Sequence, residues 1–365
     1  MGLLPPELLR LVMEDLKSEH RTLQALTLTS KGLRWEATRL LYVSMTAASG
    51  TTHFKFLSTI RKLPTELAPL VRVYHLPTIP HAGTRGQNCV WNLVLQCLPL
   101  MVNLKELAFH KIIGSPSRLF PSWGKGRRAT FQLDKFSWTG EGCDPNHTRI
   151  YEEQALSFLE TQHEMTQLHL LSSASSFPAN ACPKLKRLDG NIQAIGTVLR
   201  SRSVKELRWL NLSRLSSLSI YDVMMMTELR ALRAISVESY FYLRMLMNLP
   251  SNHPRFVSLF NVEALEVLVS DASVDAFFII ADLAPKLPQF RRLRKLVITA
   301  PEGGARFPGP APEIHLHQLY AFEQCPELKS IDISWDSGPI YRRWVDGVPL
   351  PELLSIHRDK ILELE

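Results

Sequence analysis

The sequence predicts an α/β protein in two parts: a small three-helix unit at the N-terminus, then an irregular array of stacked strand-and-helix repeats. Three observations carry this. Apolar residues in the first 45 positions recur with helical period, and a short Leu-x-x-Leu pattern then recurs along most of the remaining chain. The third is length, since 365 residues exceed the roughly 250–300 that one hydrophobic core organises.

The helical unit comes first. Leu4, Leu8, Val12 and Leu16 fall every fourth residue, with Leu9 and Met13 beside them. At 3.6 residues per turn all six share one broad face, and Glu7, Arg10, Glu14 and Asp15 are left toward water. Pro5 and Pro6 suit the first turn, where the N–H groups have no intrahelical partner. A second helix is expected from about Thr22, its cap, to Ser30, with Leu23 and Leu26 inward and Leu28 a further candidate. A third is expected from about Leu33 to Tyr42, burying Leu33, Ala37, Leu40 and Leu41. Three short helices make a marginal core, so the unit needs a partner surface or the following domain.

The repeated pattern is an apolar residue, a second three positions on, and often a third two beyond that. It reads Leu104-Lys-Glu-Leu107-Ala-Phe109, Met165-Thr-Gln-Leu168-His-Leu170 and Leu207-Arg-Trp-Leu210-Asn-Leu212. Further copies are Leu215-Ser-Ser-Leu218-Ser-Ile220, Leu229-Arg-Ala-Leu232, Leu265-Glu-Val-Leu268, Leu293-Arg-Lys-Leu296-Val-Ile298 and Leu328-Lys-Ser-Ile331-Asp-Ile333. With Leu133-Asp-Lys-Phe136 and Leu185-Lys-Arg-Leu188 as two more copies, steps run from 20 residues (Met165 to Leu185) through 29 (Leu104 to Leu133) to 35 (Leu293 to Leu328). That is at or above the leucine-rich repeat range of about 20–29 residues. Leu98-Pro, Cys182-Pro and Cys325-Pro introduce copies alike, a proline stopping a helix before the strand. The expected layout is a helical domain over 1–45, a linker and first irregular repeat over 46–97, and a leucine-rich repeat solenoid over 98–345. A C-terminal capping helix is expected over 346–365, where Leu350, Leu353, Leu354, Ile361 and Leu364 have helical spacing.

In such an array the residues between the leucines point outward and line up into one extended surface. The candidates for contact with a bound protein are therefore Lys105, Gln167, His169, Lys186, Arg208, Trp209, Arg294 and Lys329. Exposed, Trp209 would anchor an interface; buried, it would be ordinary core.

Chemistry is not indicated. His163-Glu164 lacks the second His four residues on, position 167 being Gln, and no Gly-x-Ser-x-Gly elbow or phosphate loop occurs. No enzyme activity, cofactor or metal is expected. The basic run Arg291, Arg292, Arg294 and Lys295 reads as a solvated or protein-binding face, and a net charge of +7 is mild for a nucleic-acid binder. The run Ala276–Ala281 is far shorter than the roughly 20 residues a membrane span needs. Five cysteines without a Cys-x-x-Cys pair suit reduced thiols in the cytoplasm or nucleus.

The order Leu4-Pro5-Pro6-Glu7-Leu8-Leu9, Val12, Met13, Leu16, then Leu23-Gln-Ala-Leu26, Ser30-Lys31 and Leu40-Leu41-Tyr42 resembles an F-box. With the repeats behind it, the chain resembles F-box proteins with a C-terminal leucine-rich repeat domain, of the divergent fungal kind. It departs from them in Trp35, four residues after Lys31, and in Arg21-Thr22, where an acidic residue often stands. The resemblance implies the substrate-recognition subunit of a cullin-type (SCF) ubiquitin ligase, acting in ubiquitin-dependent protein degradation. The F-box would dock to a Skp-type adaptor, and through it a cullin, while the repeats hold a protein substrate. Carried over by position, Leu4, Pro5, Leu8, Leu9, Val12, Leu16, Leu26 and Leu40 are the adaptor-binding residues. The alternative is a repeat scaffold that binds no adaptor, its first helices packed on the next domain. Exposure of those leucines separates the two readings.

Overall fold

The structure is a computed structural model. It describes residues 5–17, 19–46, 49–76, 84–111, 120, 129–141, 145–210, 227–238, 243–244, 261–269, 276–300, 320–334, 340–356 and 360–363. Leu4, the Leu215–Ile220 copy and Leu364 lie outside them. The protein is mixed α/β, with thirteen strands among the described residues. Two compact units divide it: residues 1–169 with 178–184, and residues 170–177 with 185–365.

The first unit begins with helices α1 (Pro6–Asp15), α2 (His20–Leu26) and α3 (Lys31–Val43). Pro6 opens α1, and the Ser30 side chain caps α3 by accepting from the Leu33 N–H. Met13, Leu23, Ala37 and Leu40 form the buried core, with Leu9, Leu16, Leu26, Leu33 and Leu41 partly buried against it. The face of α1 is narrower than its periodicity suggested: Leu9, Met13 and Leu16 turn inward, while Leu8 and Val12 stay exposed. Three short helices enclose room for one stripe of α1 only. Glu36, 5% exposed, ties α1 to α3, accepting from Arg10 Nε at 2.9 Å and Arg39 Nε at 2.8 Å.

Beyond α3 lie β1 (Ser44–Met45), α4 (Gly50–Lys62), α5 (Pro64–Leu67), β2 (Val73–Leu76), α6 (Thr84–Cys97), β3 (Glu106–Lys111), β4 (Lys135–Glu141), α7 (Pro145–Leu159) and β5 (Gln167–Leu170). Strands β1 to β4 pair in parallel. The parallel array therefore starts at Ser44, in the last two residues of the stretch expected as the helical domain, and runs on through the expected linker with β2. Alternate residues Tyr74, Leu76, Leu107, Phe109, Phe136 and Trp138 are buried on one side of the strands. Phe120 stacks on Phe158 at 4.6 Å between ring centroids, and Phe109 meets Phe120 edge-on at 5.5 Å.

The second unit contains β6 (Arg187–Gly190), α8 (Ile192–Leu199), β7 (Glu206–Trp209), β8 (Ala234–Glu238), β9 (Ala264–Leu268), α9 (Ala276–Leu283), β10 (Lys295–Thr299) and β11 (Ser330–Ser334). These six strands are parallel and in register. One device recurs at their entries. The carbonyl of the residue before a strand accepts two successive N–H groups from the next: Lys186 from Lys205 and Glu206, Lys205 from Arg233 and Ala234. Arg233, Glu263 and Arg294 repeat it, as Arg72, Lys105 and Asp134 do in the first unit. With its backbone fixed in this way, each of these residues has its side chain at the same edge of the strands.

The register also corrects three copies of the pattern. Leu207, Ile235 and Leu265 are the first core positions of their strands, followed by Trp209, Val237 and Val267. The copies thus start at Val204, Leu232 and Val262, three residues before Leu207, Leu265 and, for the middle one, three after Leu229. Both frames put apolar residues three apart, so that spacing alone does not choose between them.

The C-terminus differs from the expected helix. It forms an antiparallel hairpin, β12 (Ile340–Val345) and β13 (Val348–Ser355), with β12 on β11. Asp346 and Gly347, at φ 49° and 80°, make the tight turn. Pro349 and Pro351 break helical hydrogen bonding but are tolerated in a terminal strand.

Candidate interaction surfaces

Two kinds of surface stand out. On α1, Leu8, Leu11 and Val12 lie at i, i+3 and i+4 and form one apolar stripe, 48%, 66% and 55% exposed. Leu28, in the turn after α2, and Trp35 on α3 are the other large exposed apolar residues of this helical unit. Of the residues expected to face an adaptor, Pro5, Leu8 and Val12 are exposed. Leu9, Leu16 and Leu26 are half-buried in the unit's own core, and Leu40 is buried there. Leu11 and Leu28 were not anticipated as exposed. Leu11 is signalled only by its step of three from Leu8, and Leu28 looked equally apt for the inside.

The strands provide the second surface, the side opposite their apolar core. In the first unit this side is partly open. Glu106 Oε1 lies 2.8 Å from His75 Nε2 and 3.0 Å from Lys135 Nζ. The hydrogen bond from His75 and the ammonium of Lys135 outweigh burial and hold the Glu106 carboxyl down at about 2.

In the second unit the same side is closed. Ser236, Glu266 and Asp332 are fully buried, Lys295 is 5% exposed and Arg208 9%. Thr299 Oγ1 donates to Glu266 Oε1 at 2.7 Å, and Arg208 Nη2 stands 3.7 Å from Glu266 Oε2. Toward the C-terminus the chain covers its own strands. Val297 packs with Tyr341, Ile361 and Ile356, and Lys295 Nζ donates to the Glu363 carbonyl at 3.1 Å.

The residues expected to contact a bound protein consequently separate. Lys105, Lys186, Arg294 and Lys329 belong to the column that precedes the strands. Gln167, His169 and Arg208 alternate with the buried core positions of β5 and β7, Gln167 exposed, His169 half-buried and Arg208 buried. Trp209 is 3% exposed and on the core side with Leu207, because the strand frame lies three residues earlier than the Leu207-Leu210-Leu212 spacing places it. Lys205 and Arg233 share the first column and were missed through the same shift of frame.

The thiols of Cys97, Cys182 and Cys325 are free and buried, and burial pushes that of Cys97 up to about 11. Among the described residues no three His, Cys, Asp or Glu side chains gather to hold a metal ion, and no helix is long and apolar enough to cross a membrane. In comparisons with known proteins, the chain matches no family model and no curated protein.

Proposed function

We propose that this chain is the substrate-recognition subunit of a cullin-type ubiquitin ligase. Its three N-terminal helices form an F-box that docks onto a Skp-type adaptor, and the parallel strands behind them form an irregular leucine-rich repeat solenoid that holds the target protein. The observation that carries this reading is the α1 stripe. Leu8, Leu11 and Val12 remain in water although a core with room for Leu9, Met13 and Leu16 lies on the other side of the same helix. An apolar stripe held out on a small helical unit suits a partner groove. The same exposure weighs against a scaffold in which these residues pack on the following domain. In this role the chain performs no bond chemistry; it brings the target near a catalytic subunit, and proximity is its contribution.

The test is coexpression with a Skp-type adaptor. The wild-type chain is expected to co-purify with it, and Leu8→Asp with Val12→Asp to abolish co-purification while the chain stays folded. Loss of neither partner from the complex, or no complex with wild type, would exclude the F-box reading.

A further inference from the structure

We propose that the basic edge of the second unit is the docking surface for an acidic, extended segment of a partner protein. The residues immediately before β6, β7, β8, β9, β10 and β11 are Lys186, Lys205, Arg233, Glu263, Arg294 and Lys329. Five of the six are cationic, in a chain whose whole excess is +7. Their alignment is imposed by the backbone, since each carbonyl from Lys186 to Arg294 accepts two N–H groups from the neighbouring strand. Lys186, Lys205, Arg233 and Lys329 are exposed and Arg294 half-buried. Arg233 is neutralised by Glu263 at 2.9 Å, whereas Lys186, Lys205, Arg294 and Lys329 form no ion pair among the described residues.

The usual alternative for a partner is the strand face itself. Here that face is closed in the second unit, with Ser236, Glu266 and Asp332 at 0% exposure and the C-terminal segment lying over Val297 and Lys295. The edge, by contrast, stays open, with four of its five cations exposed. Five interstrand steps of about 4.8 Å make it about 24 Å long, which some seven or eight extended residues span. Like-signed charge along such a line attracts an acidic segment and speeds its encounter. The Arg233–Glu263 pair interrupts the cations midway, which suits spaced carboxylates better than a continuous phosphate backbone.

This inference rests on reading the repeats as the target-binding part, and its test is independent of the adaptor. A fluorescein-labelled Glu-rich peptide of about eight residues is titrated with the full chain at low and physiological salt, read by anisotropy. Binding that weakens with salt is expected. Lys205→Glu with Lys329→Glu should weaken it by about tenfold or more. The control pair Lys55→Glu with Lys62→Glu, exposed on α4, removes the same charge elsewhere and should leave binding unchanged. Thermal melting checks that both variants stay folded. Adaptor co-purification should be unaffected by either pair, so failure here and failure of the F-box reading are separate results. The proposal is overturned if the peptide does not bind, if the control pair weakens binding equally, or if labelled single-stranded DNA of similar length binds more tightly than the peptide.

Discussion

Arg343 holds the Asp332 carboxylate through two hydrogen bonds, Nε to Oδ1 at 2.7 Å and Nη2 to Oδ2 at 2.9 Å. The Asp332 side chain is fully buried and that of Arg343 10% exposed, with Lys295 Nζ 3.9 Å from the same carboxylate. This planar fork fastens the terminal hairpin to the last parallel strand. Arg343→Ala strands a buried carboxylate and should cost about 3–5 kcal/mol. Arg343→Met with Asp332→Leu should cost less, because the buried carboxylate goes with its guanidinium and Lys295, though it loses a charge partner, keeps its hydrogen bond to the Glu363 carbonyl. Denaturant melts of the two variants measure the difference; equal losses would mean that packing, not the ion pair, fastens the hairpin.

That pair also shows how far the sequence could be read. Leu104-Lys-Glu-Leu107 and Leu293-Arg-Lys-Leu296 announced their strands correctly, because the third apolar residue, Phe109 or Ile298, fixes the frame, whereas frames begun at Met101 and Phe290 would put Glu106 and Lys295 there. Around Leu207 two complete frames, from Val204 and from Leu207, are equally good, and only pairing with neighbouring strands selects one; at Leu265 the complete frame is the earlier one, Val262-Leu265-Val267. The hairpin was signalled by Asp346-Gly347, a turn dipeptide hidden by the helical spacing of the leucines after it. The candidate surfaces were legible as residue types and illegible as exposure. Leu8 and Leu9 are identical letters, and a rotation of 100° about α1 decides which meets solvent.

Glu106 makes the first unit sensitive to acid. Its carboxyl is held at about 2, below the ordinary 4.5, so the stabilisation from His75 and Lys135 is fully present above 4.5 and disappears as pH falls through 2. Near neutral pH the wild type should be more stable than Glu106→Gln. The gap should close between those two values. Parallel melting curves over that range check it, and a gap that persists at pH 2 would count against the charge as its source.

Gly190 is the one residue without a side chain in the second unit's buried row Gly190, Trp209, Val237, Val267, Ile298 and Ile333. A Cβ there would stand 2.9 Å from the Leu170 carbonyl oxygen and 3.2 Å from the Ala194 Cβ. The closeness follows from α8, which begins at Ile192 directly after β6, capped by the Asn191 side chain on the Ala194 N–H at 3.0 Å. That immediate turn accounts for the short repeat between Leu185 and Val204. Gly190→Val should destabilise the second unit by about 1–3 kcal/mol through overpacking, and Gly190→Ala by less. A thermal shift of the second transition, or of the single one if the units melt together, measures it.

The two sides of α1 give opposite expectations for similar substitutions. Met13 is 1% exposed at the centre of the three-helix core, so Met13→Ala should cost about 2–5 kcal/mol and unfold a unit this small. Leu11, 66% exposed, makes no comparable burial, and Leu11→Gln should change stability by no more than about 0.5 kcal/mol. If α1 docks as proposed, Leu11→Gln nevertheless weakens adaptor binding, since its cost falls on the complex and not on the fold. Melting of the free chain and co-purification with the adaptor, read on the same variant, separate those effects. A loss of stability in Leu11→Gln equal to that in Met13→Ala would show the stripe to be part of the core.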